Sequence, residues 1–193
     1  MTANNLFLIL LELARLAIME GLTGEKLIDR EAYLKKYPEL AQKQAVFVTL
    51  NKKREAGKPT LRGCIGSIIP TRSLIDDVIY NAKAAAFDDP RFPPLTSDEF
   101  KDIQIEISLL SIPEKLEYSD TEDLRHKIIS GKNGVILRLA GKQATFLPQV
   151  WEDLPDFDTF FQHLCLKAGL PGNCLEYHPE IWTYTVKKIE EDE

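Results

Sequence analysis

Ile103, Ile105, Ile107 and Leu109 alternate with Gln104, Glu106 and Ser108, and no other pattern in the chain narrows the architecture as much. A two-residue period sends successive side chains to opposite faces, so the stretch predicts a half-buried strand, apolar on one side and polar on the other. Such a strand belongs in an antiparallel sheet, because strands of parallel sheets are buried on both faces and read as continuous apolar runs. An exposed sheet face accounts fully for Glu106. If another part of the chain covers that face, Glu106 becomes an interior carboxylate suited to acid or base chemistry.

Other segments agree. Ala45 to Leu50 and Leu61 to Ile69 are apolar runs on either side of a polar loop, Asn51 to Thr60, which together read as a long hairpin. Gly134 to Ala140 and Ala144 to Leu147 flank Gly141 as a second hairpin, and 180–187 reads as a last strand. Three- and four-residue spacing of apolar side chains predicts a helix over 4–20 that ends at Gly21. A shorter polar helical stretch over 29–43 is interrupted at Tyr37-Pro38, and 120–129 reads as helical. Ser73 can cap a helix that must stop before Pro90, and Thr96 with Glu99 can cap a short one. Asp156 caps a helix carrying Phe157, Phe160, Phe161, Leu164 and Cys165, which Gly169 and Pro171 end. Hairpins mixed with helices, without regular βα alternation, make this an α+β fold with a largely antiparallel sheet and flanking helices. Lys187 to Glu193 reads as a charged, frayed tail.

At 193 residues the chain has room for one domain or two small lobes sharing a core. Lys and Arg number 24 against 30 Asp and Glu, a formal charge of −6, which gives no bulk help towards nucleic acid or anionic lipid. Glu12, Arg15 and Glu20 interrupt the N-terminal apolar run, and the chain before it carries no basic residue, so neither a membrane span nor a signal peptide is expected. Cys64, Cys165 and Cys174 are an odd count without a CxxC pair. The expectation is therefore no disulfide framework and no four-thiolate zinc site, a core Cys165, a loop thiol at Cys174 with no evident partner, and a reducing, cytoplasmic setting. His126, His163 and His178 have no metal-ligand spacing.

Three places stand out for chemistry. In Leu61-Arg-Gly-Cys-Ile-Gly66 two glycines weaken an apolar strand, which implies a bulge or close approach of another segment or ligand to the backbone. Cys64 between them is either a tightly packed core thiol or a nucleophile beside Arg62, with backbone N–H groups from Gly63 to Gly66 available to a ligand. Next, Asp88 to Leu95 holds prolines at 90, 93 and 94, which restrict the loop carrying Asp89 and Arg91. Arg62 and Arg91 suit a small anionic ligand, with Asp89 or Glu106 as the acid/base or orienting group; alternatively Asp89 and Arg91 pair and staple the helix exit. Gln149, after Pro148, and Lys167, on the polar side of its helix, are weaker ligand candidates. The run Lys52-Lys53-Arg54 reads as a solvated loop edge.

Phe47-Val-Thr-Leu50, Leu61-Arg-Gly-Cys-Ile-Gly66, Asp89-Pro-Arg-Phe-Pro-Pro-Leu95, Gly134-Val-Ile136, Leu147-Pro-Gln-Val150 and Lys167-Ala-Gly-Leu170 occur in the order seen in the AMMECR family, which the chain resembles over about residues 45–186. Microbial members are also called protein A of the AmmeMemoRadiSam system. The resemblance implies two unequal lobes with a cleft between them and the Arg-Gly-Cys motif near it. It implies association with a MEMO-like protein and a radical S-adenosylmethionine enzyme, and names no reaction and no cofactor. Many relatives carry a Trp where this chain has Asn173-Cys174-Leu175.

Overall fold

The computed structural model describes residues 3–52 and 59–191. The chain divides into two compact units, one built from residues up to Leu110 together with those from Lys187 onward, the other from Ser111–Val186. Each carries its own four-stranded sheet.

In the first unit, β1 (Val46–Lys52) lies between β2 (Thr60–Gly66) and β3 (Ile103–Leu110), antiparallel to both. Val46, Val48 and Leu50 of β1 and Ile103, Ile105 and Ile107 of β3 pack with α1 (Ala3–Thr23) and α3 (Leu74–Phe87) in one apolar core. Between them run α2 (Arg30–Lys36), a 3-10 turn (Pro38–Ala41) and, after α3, α4 (Ser97–Phe100). The expected caps form: Ser73 Oγ accepts from Asp76 N, and Thr96 with Glu99 makes a reciprocal capping box. Helix α1 does not stop at Gly21. A Cβ there would lie 2.3 Å from the Phe87 ring, so Gly21 permits close approach of α1 to α3. Gly24, with φ +77°, ends the helix and donates its N–H to Glu20 O.

Two further expectations change here. Strand β3 is not half-buried: Gln104 and Ser108 are 7% and 6% exposed, so its polar face is covered as well. Residues 186–190 do not fray but form β8 (Val186–Glu190), the fourth strand, beside β3. Arg15 explains the order. Its Nε donates to Glu191 Oε1 at 2.6 Å, Glu191 Oε2 accepts the Ile105 N–H, and Gln104 Nε2 donates to Glu191 O. Charge that suggests solvation in the sequence is consumed by partners far away in the chain. Asp77, 1% exposed, is held in the same way by Val46 N, Ser67 Oγ, Arg72 Nη1 and Asn81 Nδ2.

In the second unit the strands run in the order β4 (Glu114–Leu116), β7 (Glu180–Tyr184), β5 (Gly134–Leu139), β6 (Lys142–Phe146), all antiparallel. Ala140 and Gly141, both at positive φ, make the two-residue turn between β5 and β6. Val135, Leu137 and Ile181 pack with Leu124 of α5 (Thr121–Lys127), Trp151 of α6 (Val150–Asp153) and the apolar stripe of α7 (Phe157–Lys167). Asp156 caps α7 through Thr159 N, as its position suggests.

Cys174 is not a partnerless thiol. It forms a disulfide with Cys165, both residues fully buried. The chain reverses after α7 through Gly169, at φ +71°, and Pro171, and this brings the two sulfurs together across a separation of nine residues. With Cys165 and Cys174 joined, the cysteines no longer speak for a reducing compartment. Among the described residues no helix is long and apolar enough to cross a membrane, and no cluster of His, Cys, Asp and Glu could hold a metal ion. Lys53 and Arg54 of the basic run lie outside the described residues.

Candidate functional site

Strand β2 is an edge strand, and its register against β1 slips once. Gly63 faces Leu50 and Leu61 faces Asn51, which leaves Arg62 as the extra residue of a β-bulge. The bulge sends Arg62 away from the regular ladder. Its Nε and Nη2 donate to the two carboxylate oxygens of Glu99, each at 3.0 Å, and Nη2 also donates to Pro93 O. Both glycines have packing reasons. A Cβ at Gly63 would sit 2.1 Å from the backbone oxygen of Ala85 in α3, and one at Gly66 would sit 2.1 Å from the Phe47 ring.

The open edge of β2 is occupied by the proline-restricted loop. The Cys64 N–H donates to Asp89 Oδ2 at 2.9 Å, and Arg91 Nη2 donates to Cys64 O at 3.3 Å. Asp89 and Arg91 thus stand in for a neighbouring strand, which blunts an otherwise unpaired edge. They also hold each other, Nε to Oδ1 at 2.9 Å and Nη2 to Oδ2 at 2.7 Å. The Arg91 guanidinium, reinforced by the backbone N–H groups of Cys64 and Arg91, holds the Asp89 carboxyl far below the usual carboxylate range despite its burial. Neither arginine is a free anion clamp: Arg62 is matched by Glu99, Arg91 by Asp89.

Cys64 itself is partly exposed, and Thr49 Oγ1 donates to its Sγ at 3.3 Å. Thr49 is the register partner of Cys64 on one side and of Glu106 on the other. Glu106 in turn meets Lys188 of β8 at 3.3 Å. A thiol, a hydroxyl, a carboxylate and an ammonium therefore form one row across the sheet. Thr49, Glu99 and Lys188 escape sequence reasoning, because only strand register and the bulge bring them in. Gln149 and Lys167 belong to the other unit: Gln149 is exposed at the start of α6, and Lys167 Nζ donates to Thr145 O.

Acid should loosen this corner of the first unit. Glu99 is drawn from an ordinary value of 4.5 to about 2, chiefly by its hydrogen bonds with Arg62. A carboxyl depressed on folding contributes stability that is complete above the unfolded value and lost as pH falls through the folded one. The window is thus roughly pH 4.5 down to 2, with Asp89 contributing in the same direction and persisting to lower pH. Urea midpoints measured across this range should fall less steeply for Arg62→Met than for wild type. Identical slopes would show that the pair does not couple to folding.

Relatives share this architecture. The AMMECR1 family model matches residues 11–189. The chain is 40% identical over 177 residues to a protein of Methanothermobacter thermautotrophicus, an alignment covering 91% of this chain and 88% of that one. It is 37% identical over 191 residues to a protein of Methanopyrus kandleri, covering 95% and 87%. The crystal structure of an uncharacterised protein from Pyrococcus horikoshii superposes with a TM-score of 0.77 at 36% identity, covering 95% of this chain and 90% of that one. A match that reaches into both units, every named strand of both sheets and the whole Arg62–Arg91 corner leaves one assignment: the chain belongs to the AMMECR1 family.

Proposed function

We propose that the chain is an enzyme or enzyme component in which Cys64 acts as a nucleophile or covalent carrier. One observation carries this reading: Cys64 is partly exposed, its backbone is pinned on the edge side by Asp89 and Arg91, and its sulfur is oriented by Thr49 in a row that leads to Glu106. A thiol held in one position loses little freedom on reaching a transition state, which favours attack on a bound electrophile. Thr49 positions the sulfur and Glu106 is the acid/base group of the row. Arg62 and Arg91 act as positioning residues, since carboxylates already occupy both.

Alkylation of the unreduced, folded protein tests the proposal directly. Iodoacetamide should add a single label, at Cys64, because the other two cysteines are joined. It should do so faster than with free cysteine at the same pH, and Thr49→Val should slow the labelling severalfold. A Cys64 that reacts no faster than free cysteine, or only after unfolding, removes the nucleophile role.

The occupied guanidinium groups favour a second reading. In it the corner is a rigid framework and the chain a non-catalytic partner of a MEMO-like protein or a radical S-adenosylmethionine enzyme. Pull-down of each candidate partner with folded Cys64→Ser protein separates the two. A scaffold keeps its partner and its cellular role with serine at 64, whereas an enzyme keeps its fold and loses its role.

A further inference from the structure

Among the described residues, Arg15, Arg30, Arg62, Arg72, Arg91 and Arg125 each contact a carboxylate. Arg138 does not. It sits on β5, between Gln143 of β6 and Glu180 of β7 in the cross-strand row, yet the Glu180 carboxylate turns to Lys115, at 3.5 Å. The Arg138 guanidinium lies against the Trp182 ring instead, 5.2 Å from its centroid. Arg138 Nε and Trp182 Nε1 are both buried, and neither donates to any acceptor. Buried donors nearly always have partners, and two orphans side by side next to an unneutralised cation ask for an acceptor the chain does not supply.

A place for that acceptor lies beside Arg138. The β5–β6 turn borders a hollow of about 410 Å³ lined by Arg138, Gly141, Lys142, Gln143, His178 and Glu180. The His178 ring is fixed there by stacking on Tyr118, with centroids 4.3 Å apart, and its backbone adopts a left-handed conformation at φ +50°. Arg138 and Gln143 are paired across the two strands and share one face, whereas Lys142, paired with Leu139, turns to the other face and donates its Nζ to Gly169 O. A guanidinium and an amide, with the one carboxylate already engaged by Lys115, favour a ligand that accepts hydrogen bonds and carries negative charge. We propose that this hollow is an anion-binding site in which Arg138 grips a carboxylate or phosphate group of a small molecule, with Gln143 beside it at the rim. The site lies in the second unit and does not depend on the reading of Cys64.

The two tryptophans provide an internal control, because Trp151 Nε1 already donates to Asn133 O. Titration of the full chain with inorganic phosphate, and separately with malonate, should move the Trp182 indole N–H signal saturably in a nitrogen–proton correlation spectrum and leave that of Trp151 in place. Arg138→Gln should weaken binding roughly tenfold or more, as expected for loss of a charge-assisted forked contact. Gln143→Ala, at an exposed position lining the hollow, should weaken it by a smaller factor and serves as the test if Arg138→Gln does not fold. Response to one anion alone identifies the group recognised. A Trp182 signal indifferent to both anions, or equal affinity in the substituted proteins, overturns the proposal.

Discussion

Gly63→Ala should cost about 3 kcal/mol of stability, because the added methyl group meets backbone and not a movable side chain. The new Cβ would fall 2.1 Å from Ala85 O and 3.1 Å from Ala85 C, inside α3. Those atoms are tied into a helix that packs on the sheet, so relief requires β2 or α3 to shift as a whole. Gly172→Ala is the control: its Cβ meets the flexible Gln162 side chain, Cγ at 3.0 Å, which yields at little cost. Urea unfolding of the two variants should differ clearly in midpoint. A Gly63→Ala protein as stable as wild type would mean that the strand and helix are not in close contact at this point.

Loss of the Cys165–Cys174 bond is the second large effect. Closing a loop of this size restricts the unfolded chain by about 2.5 kcal/mol in the chain-entropy account. Both sulfurs are fully buried among α7 and Leu175, so alanine at both positions also leaves small voids. The doubly substituted protein should unfold at a lower temperature than wild type and be indifferent to reductant. Wild type, once reduced, should approach the variant. A wild-type melting curve unchanged by a reductant shown by thiol counting to have opened the bond would deny the disulfide its stabilising role.

What the chain discloses on reading is whatever is decided within a turn or two of the residue concerned. Ser73, Thr96 and Asp156 cap helices because their oxygens reach an N–H three residues on, and each does so. The two-strand alternation and the Gly141 turn are equally local. Distant pairing explains the remainder. Arg62 and Glu99 are 37 residues apart, and only the bulge directs one to the other. Glu191 looks solvent-bound until Arg15, 176 positions before it, pairs with it. Cys165 and Cys174 are near in sequence, yet nothing in their spacing announces the reversal that joins them. Of the candidate site, the strand carrying Cys64 and the loop carrying Asp89 are legible. That Asp89 and Arg91 would border the strand's backbone, with a carboxylate already paired to each arginine, is not.

The position of β8 bears on how the molecule comes into being. The strand that completes the first sheet follows the entire second unit in the chain. During synthesis the outer side of β3 therefore emerges from the ribosome long before its neighbour does and must wait with its main-chain groups unmatched. Ser111 and Thr185 bridge the outgoing and returning segments, Ser111 N to Thr185 O at 2.9 Å and Thr185 N to Ser111 Oγ at 3.0 Å. The intervening unit thereby delivers the late strand to the place where its two ends already meet, like an insert whose own folding closes its host.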